Sequence, residues 1–318
     1  MAQPGEFSMT TDVAIYISSV ANTSKHPRKV ACLENFAQGV KTLGASLIVQ
    51  REYKYQPAKL AVILGWATPD TTGGRNVVLR KEIIANQTSR GYQTMCIDAS
   101  CFKYLDDGGT YLRYSLGGPF YDRAEYANHN SDSTKWMEIS TRLGVKLTNA
   151  PVVRPDGHIL ICMQRDGGFS MKTLNPIQWL GVKIKRIRLH SQRHILVRPH
   201  PGAYKLQDFA KFRSLPNVTV VDPAKSSLLD NLQNAHAAVF FNSSASVAAA
   251  MANVPIFADD ESCVSWAVAN KDISKIELPQ TFDRSQWIND LAAAHWSDAD
   301  GRAGLIWQKF LPYLVTKD

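Results

Sequence analysis

No apolar run in this sequence approaches the ~18–20 residues that a bilayer-crossing helix needs, so no membrane-spanning helix is expected. Cysteine is scarce: five residues among 318 (Cys32, Cys96, Cys101, Cys162 and Cys263), with no CxxC pair and no metal-finger spacing. An odd, scattered set in a chain of this length excludes a disulfide scaffold and reads as reduced thiols in a cytoplasm. The opening Met-Ala-Gln-Pro-Gly-Glu-Phe-Ser has neither a basic start nor an apolar centre, so it does not read as a secretion signal. It reads as an appended leader, with the natural start at Met9. Repeats at solenoid periods, low-complexity tracts and heptads are also missing. What is present is 45% hydrophobic and 20% charged residues, a globular composition, in a length that suits two cores of about 150 residues each. The formal charge of +8, with a pI near 9.2, favours a polyanionic partner such as nucleic acid or an acidic membrane surface.

The first half alternates β-rich runs with amphipathic stretches. Val13–Val20, Leu47–Gln50, Leu60–Leu64 and Thr94–Ile97 read as strands, while Lys29–Leu43 and residues 75–89 have helical spacing. Residues 104–150 are aromatic, glycine-rich and less regular, and are expected to close the first unit. A second alternation starts at His158, with strands at Ile159–Met163, His194–Val197, Val218–Val221, Ala237–Phe241 and Val254–Ala258. Such alternation predicts an α/β fold with parallel sheets wrapped by helices.

Three loops follow strands of the second half, where open parallel sheets bind ligands. Asn242-Ser243-Ser244 opens a helix of small residues, so backbone N–H groups and hydroxyls at its positive end suit a diphosphate. An ordinary N-capped crossover helix would use the same residues. Arg198-Pro199-His200-Pro201 offers a guanidinium fork and an imidazole, or else a rigid proline turn. Gln164-Arg165-Asp166-Gly167-Gly168 adds a glycine pair that lets amides approach a ligand. Asp259-Asp260-Glu261 lacks further ligands at metal spacing, so no metal is expected, and Asp260 is a candidate for bonding sugar hydroxyls.

The block from Arg198 to Pro255 (RPHP and NAHAAVFFNSSASVAAAMANVPIF) resembles the donor half of GT-B glycosyltransferases, and is similar to capsule-polysaccharide transferases. With QRDGGFSM, DDESCVSWAVAN, DRSQWINDLA and WQKFLPYL, residues 95–315 resemble bacteriophage-encoded glycosyltransferases that decorate DNA bases. Asn253 departs from the glycine common before Val-Pro, but asparagine tolerates the same left-handed backbone. The resemblance implies two Rossmann-like domains facing across a cleft: 9–150 for the acceptor, 151–300 for the donor, and a terminal helix 301–318 crossing back, anchored by Trp307, Phe310 and Leu311. It implies a nucleotide-sugar donor (UDP-glucose or similar) held without metal by Gln164, Arg165, Gly168, Arg198, His200, Asn242, Ser243 and Ser244, with Gly167 alongside. The implied acceptor is a hydroxymethylated pyrimidine such as 5-hydroxymethylcytosine in double-stranded DNA, in the cytoplasm of an infected bacterium.

Transfer with inversion needs a base on the acceptor hydroxyl. Asp98, directly after a strand, is the first candidate, with Asp70, His26 and Asp122 behind it; a turn or cap aspartate reads the same way. Lys25, Arg28, Lys29 and Arg75 in the first half, and Lys183, Lys185, Arg186 and Arg188 in an alternating stripe, are candidates for DNA phosphates or simply a solvated surface. Trp66, Tyr111, Tyr114, Phe120 and Tyr121 could stack on a flipped base, or equally form core. Two rivals stand beside this reading: transfer to a cell-surface or capsular glycan, and a non-catalytic nucleic-acid- or nucleotide-binding protein.

Overall fold

The structure, a computed structural model, describes residues 11–105, 109–147, 154–165, 169–171, 174–203 and 205–314. The first half contributes β1 (Thr11–Tyr16), α1 (Pro27–Thr42), β2 (Leu47–Gln50), β3 (Ala58–Leu64), α2 (Arg75–Ser89), β4 (Gln93–Ala99), β5 (Tyr111–Leu116) and α3 (Thr134–Leu143). The second contributes β6 (His158–Cys162), α4 (Pro176–Arg188), β7 (Ile195–Arg198), α5 (Ala210–Arg213), β8 (Val218–Val220), α6 (Leu228–Leu232), β9 (Ala235–Phe240), α7 (Ala245–Met251) and β10 (Ile256–Ala258). The chain continues through α8 (Ser285–Ala293), β11 (His295–Ser297), α9 (Asp298–Arg302) and α10 (Leu305–Phe310).

Two sheets result, ordered β11-β5-β4-β3-β1-β2 and β10-β9-β6-β7-β8. The second is parallel throughout. In the first, only β5 runs against its neighbours, β4 on one side and β11 on the other. Strands such as Leu60–Ile63 and Ile159–Ile161 are fully buried along their length, as expected where helices cover both faces. In the second sheet, Ile159, Ile161 and Val239 face the α4 side, while Leu160, Ala238 and Phe240 face α6 and α7. No helix among the described residues is long and apolar enough to cross a membrane.

One stretch differs from its sequence reading, and a second takes one of the forms left open for it. Residues 104–150 include β5 and α3. The strand Tyr-Leu-Arg-Tyr-Ser-Leu has polar residues among its apolar ones, so no aliphatic run announces it; tertiary contacts bury it all the same. The basic stripe at 183–188 is the last half of α4, which scatters its charges around a helix.

The chain re-enters the first sheet at β11, and the helices beyond it pack on α1. That packing depends on Gly39, where a Cβ would lie 2.1 Å from the Gly301 carbonyl oxygen and 2.7 Å from Gly304 Cα. Ile306, Trp307 and Phe310 share a core with Cys32, Leu33, Phe36 and Val40 of α1, whereas Leu311 is exposed.

Candidate active site

A cavity of about 210 Å³ lies between the two sheets' loop edges. From the first half it is lined by Asp98, Lys103, Tyr104, Arg113, Pro119, Phe120 and Tyr121, and from the second by Gln164, Arg165, Ser170, His200, Asn242, Ser243, Ser244, Ser262 and Val264.

The wall from the first half is set by strand register. Asp98 on β4 is the direct cross-strand partner of Arg113 on β5, and Arg113 is in turn the partner of His295 on β11. Direct partners across a sheet project from one face, so the three form a row. Arg113 Nη2 donates to Asp98 Oδ2 at 2.7 Å, and the guanidinium lies 5.4 Å and 5.7 Å from the centroids of Tyr121 and Tyr126, which stack on each other. The second Asp98 oxygen accepts from the Ala99 amide at 2.8 Å. His295 is fully buried; its Nδ1 lies 2.7 Å from the Leu291 carbonyl and its Nε2 accepts from the Cys101 amide at 2.9 Å. Burial lowers its pKa to about 3, helped by the nearby Arg113 and Lys135 cations, and the imidazole is neutral. The residue therefore ties the loop after Asp98 to the end of the chain.

The opposite wall is a network of side-chain amides and hydroxyls. Gln164 Nε2 donates to Asn242 Oδ1 at 2.5 Å, and the Asn242 amide N–H donates to Gln164 Oε1 at 3.3 Å. Asn242 Nδ2 donates to the Ser170 carbonyl and to Ser262 Oγ, at 2.8 Å and 2.7 Å. One asparagine thus pins three loops together. At the start of α7 the Ala245, Ser246 and Val247 amides already donate to Ser243 Oγ, the Ser243 carbonyl and the Ser244 carbonyl. These tight turns correct the expectation of free helix-end donors there. His200 Nδ1 accepts from the Gly202 amide at 3.0 Å, which leaves Nε2 as the protonated nitrogen. Its pKa is lowered by burial first, then by Lys103 and Arg165. The exposed Lys103 and Arg165 give the cavity two cations beyond the Asp98–Arg113 pair, a balance suited to an anionic ligand.

Other sequence-derived candidates lie elsewhere. Arg198 is buried, and its Nη1 donates to the Ser226 carbonyl at 2.8 Å and Asn231 Oδ1 at 2.7 Å, so it braces the loop before α6 and does not line the cavity. Asp260 Oδ1 accepts from the Ser262 amide and hydroxyl, one step behind the cavity wall. Asp70 and His26 are exposed on loops of the first half, outside the cavity lining. Gly167 and Gly168 lie outside the described residues. Of the proposed phosphate-binding stripe, Lys183 is buried and donates to Asp259 at 2.6 Å, and Arg188 donates to the carbonyls of Ser191, Arg193 and Asn217. Packing and local carbonyls have claimed both groups. Lys25, Arg28, Lys29, Arg75, Lys185 and Arg186 are exposed, with Arg28 donating to the Gly109 carbonyl and Arg75 lying over the Tyr53 ring. Sequence reading passed over Lys103, Arg113 and His295; a lone arginine amid the buried positions of Tyr111–Leu116 was the available signal for Arg113.

No family model matches the chain, and no curated protein matches it in sequence. Solved structures do resemble it. One, from Thermosulfurimonas dismutans and described as KpsC, beta Kdo 2,4 transferase, superposes with a TM-score of 0.55 at 12% identity, over 96% of this chain and 98% of that one. A second from the same organism, KpsC, beta Kdo 2,7 transferase, gives 0.51 at 11% identity, over 94% and 99%. The fold is GT-B. Two Rossmann-like units with the cavity between their loop edges are what that fold name describes, and a GT-B chain places Asp98 and the Asn242 network on facing walls.

Proposed function

We propose that the protein is a glycosyltransferase that moves a sugar from a nucleotide sugar to a saccharide hydroxyl. In this reading residues 9–150 receive the acceptor, the chain from 151 up to β11 holds the donor, and the segment from β11 onward, which rejoins the first sheet before the expected crossing at 301, ties the two together. Lys103, Arg165, His200 and the Ser243 and Ser244 hydroxyls face the donor's phosphate. Asp98 takes the proton of the acceptor hydroxyl as its oxygen bonds to the anomeric carbon. The bond from that carbon to phosphate breaks with its electron pair leaving on the nucleotide, whose charge the cations offset. Arg113 holds the Asp98 carboxylate in place through its 2.7 Å hydrogen bond. The observation that supports this most is that a strand-end carboxylate and a polar, cationic loop wall from the other half line one cavity.

Saccharide acceptors are favoured because the similar folds carry Kdo transferases. A hydroxymethylated pyrimidine in DNA is the second reading, supported by the +8 charge and the exposed Lys25, Lys29 and Arg75, and weakened by the commitment of Lys183 and Arg188 to internal partners. The test is incubation with a panel of nucleotide sugars, including UDP-glucose, against oligosaccharides, hydroxymethylated DNA and plain DNA, followed by mass analysis. A one-sugar mass gain on an oligosaccharide is expected. Gain on hydroxymethylated DNA alone moves the assignment to the second reading, and no transfer or nucleotide release with any pair removes the enzyme assignment.

A further inference from the structure

The basic half of α4 found no role in the cavity, yet it borders an apolar groove. Between α4 and residues 211–218 runs a groove of about 850 Å³ lined by Ile177, Val182, Leu189, Phe212, Leu215 and Pro216 among others. Leu189 is 77% exposed, Val182 57% and Leu215 39%. Val182, Lys185 and Leu189 succeed one another at helical spacing, so they form one outward stripe, while Trp179, Leu180, Lys183, Ile184 and Ile187 turn into the core. The stripe is a sequence consequence: every third or fourth residue from Pro176 to Leu189 points outward, and here the outward set includes aliphatics left exposed among the described residues.

Charge decides what would cover them. Lys185, Arg188 and Lys211 line the groove, exposed Arg186 and Arg213 stand beside it, and no carboxylate is among its lining residues. Arg188 is held by backbone carbonyls, but Lys185 and Lys211 are exposed, with Lys211 Nζ over the Phe212 ring at 4.9 Å. A clustered apolar surface of this kind marks an interaction site. Aliphatics framed by basic side chains match the boundary of an anionic bilayer, where apolar groups enter the acyl region and cations meet phosphates. A second copy seated by two-fold symmetry would set this basic rim against itself. The surface belongs to the face of the second sheet opposite α6 and α7, so contact there leaves the interdomain cavity open.

We propose that α4 and the 211–218 segment form a peripheral docking face for an anionic lipid bilayer. This goes beyond the transferase reading and stands or falls separately from it. Full-length protein is sedimented with vesicles of phosphatidylcholine alone or mixed with phosphatidylglycerol, at low and high salt. Partition is expected to rise about tenfold or more with the anionic lipid and to fall with salt. Leu189→Glu, and separately Lys185→Glu with Lys211→Glu, should each lower partition about tenfold while circular dichroism, melting temperature and any transfer activity stay as in the parent. Equal binding to both vesicle types, no binding, or variants that bind like the parent overturn the proposal. So does a concentration-dependent dimer in solution that Leu189→Glu abolishes, which would give the face to a second copy, or capture of an acidic amphipathic peptide by a protein that ignores both vesicles.

Discussion

The two walls of the cavity are built by different means. On the first, a row of Asp98, Arg113 and His295 is fixed by backbone register across β4, β5 and β11, so side-chain placement follows from the ladder itself. On the second, the strands only deliver loops to one edge, and Asn242 with Gln164, Ser170 and Ser262 then knits the loops together. Register gives rigidity with little adjustment, because sliding a strand by one residue turns every side chain to the other face. A loop network adapts to a bound molecule, at the cost of needing every amide matched. Under the transferase reading proposed above, the division would set a rigid proton acceptor opposite an adaptable donor cradle.

The sharpest way to break this comparison is Asp98→Asn. Loss of the proposed base should lower turnover by roughly 10²–10⁴ while donor affinity changes less than about twofold. Turnover within about threefold of the parent, measured with the best donor and acceptor pair, would detach the register-built wall from the chemistry.

Arg198→Ala tests where the second wall ends. Its guanidinium donates to a carbonyl and to Asn231, so its loss leaves buried acceptors unmet and should cost about 2–4 kcal/mol in urea unfolding. Donor affinity by calorimetry should stay within about threefold. The reverse pattern, weak binding with unchanged stability, would return Arg198 to the donor site.

The smallest expected effect is a pH dependence of stability from His295. Its folded pKa near 3 lies below the ordinary histidine value of 6.5, so the unfolded chain binds a proton first. The stability it contributes is complete above about pH 6.5 and is lost as pH falls toward 3. From pH 7 to 5 the loss should be about 2 kcal/mol. His158, His200 and His236 shift downward too and act with the same sign. Comparing parent and His295→Gln by urea unfolding at both pH values isolates the term; identical slopes would mean that His295 does not stay neutral in the row.

The alternation of strands and helices could be read directly, because runs such as Leu60–Leu64, Ile159–Met163 and Ala237–Phe241 carry apolar residues that suit a doubly covered sheet. Asp98 could be located as a strand-end acid, and Asn242, Ser243 and Ser244 as a strand-to-helix turn. What Asn242 bonds could not be read, since its partners are 78, 72 and 20 residues away. Arg113 escaped for the same reason: its meaning depends on β5 running antiparallel beside β4, and nothing local in Tyr111–Leu116 declares that direction. The stripe at 183–188 left its alternatives open because charge alternation has one look in sequence and two in space; a helix buried Lys183 against Asp259 and left Lys185 outside.

Local patterning by itself determined that this chain makes two parallel-rich α/β units and where the loops that line the cavity begin, because hydrophobic period and turn residues act over a few positions. Which of the polar residues face a common cavity, which brace the scaffold, and which charges disappear into ion pairs was decided only in three dimensions. Burial and hydrogen-bond matching are properties of neighbours in space, and a side chain such as Arg198 carries no mark of them until its partners arrive.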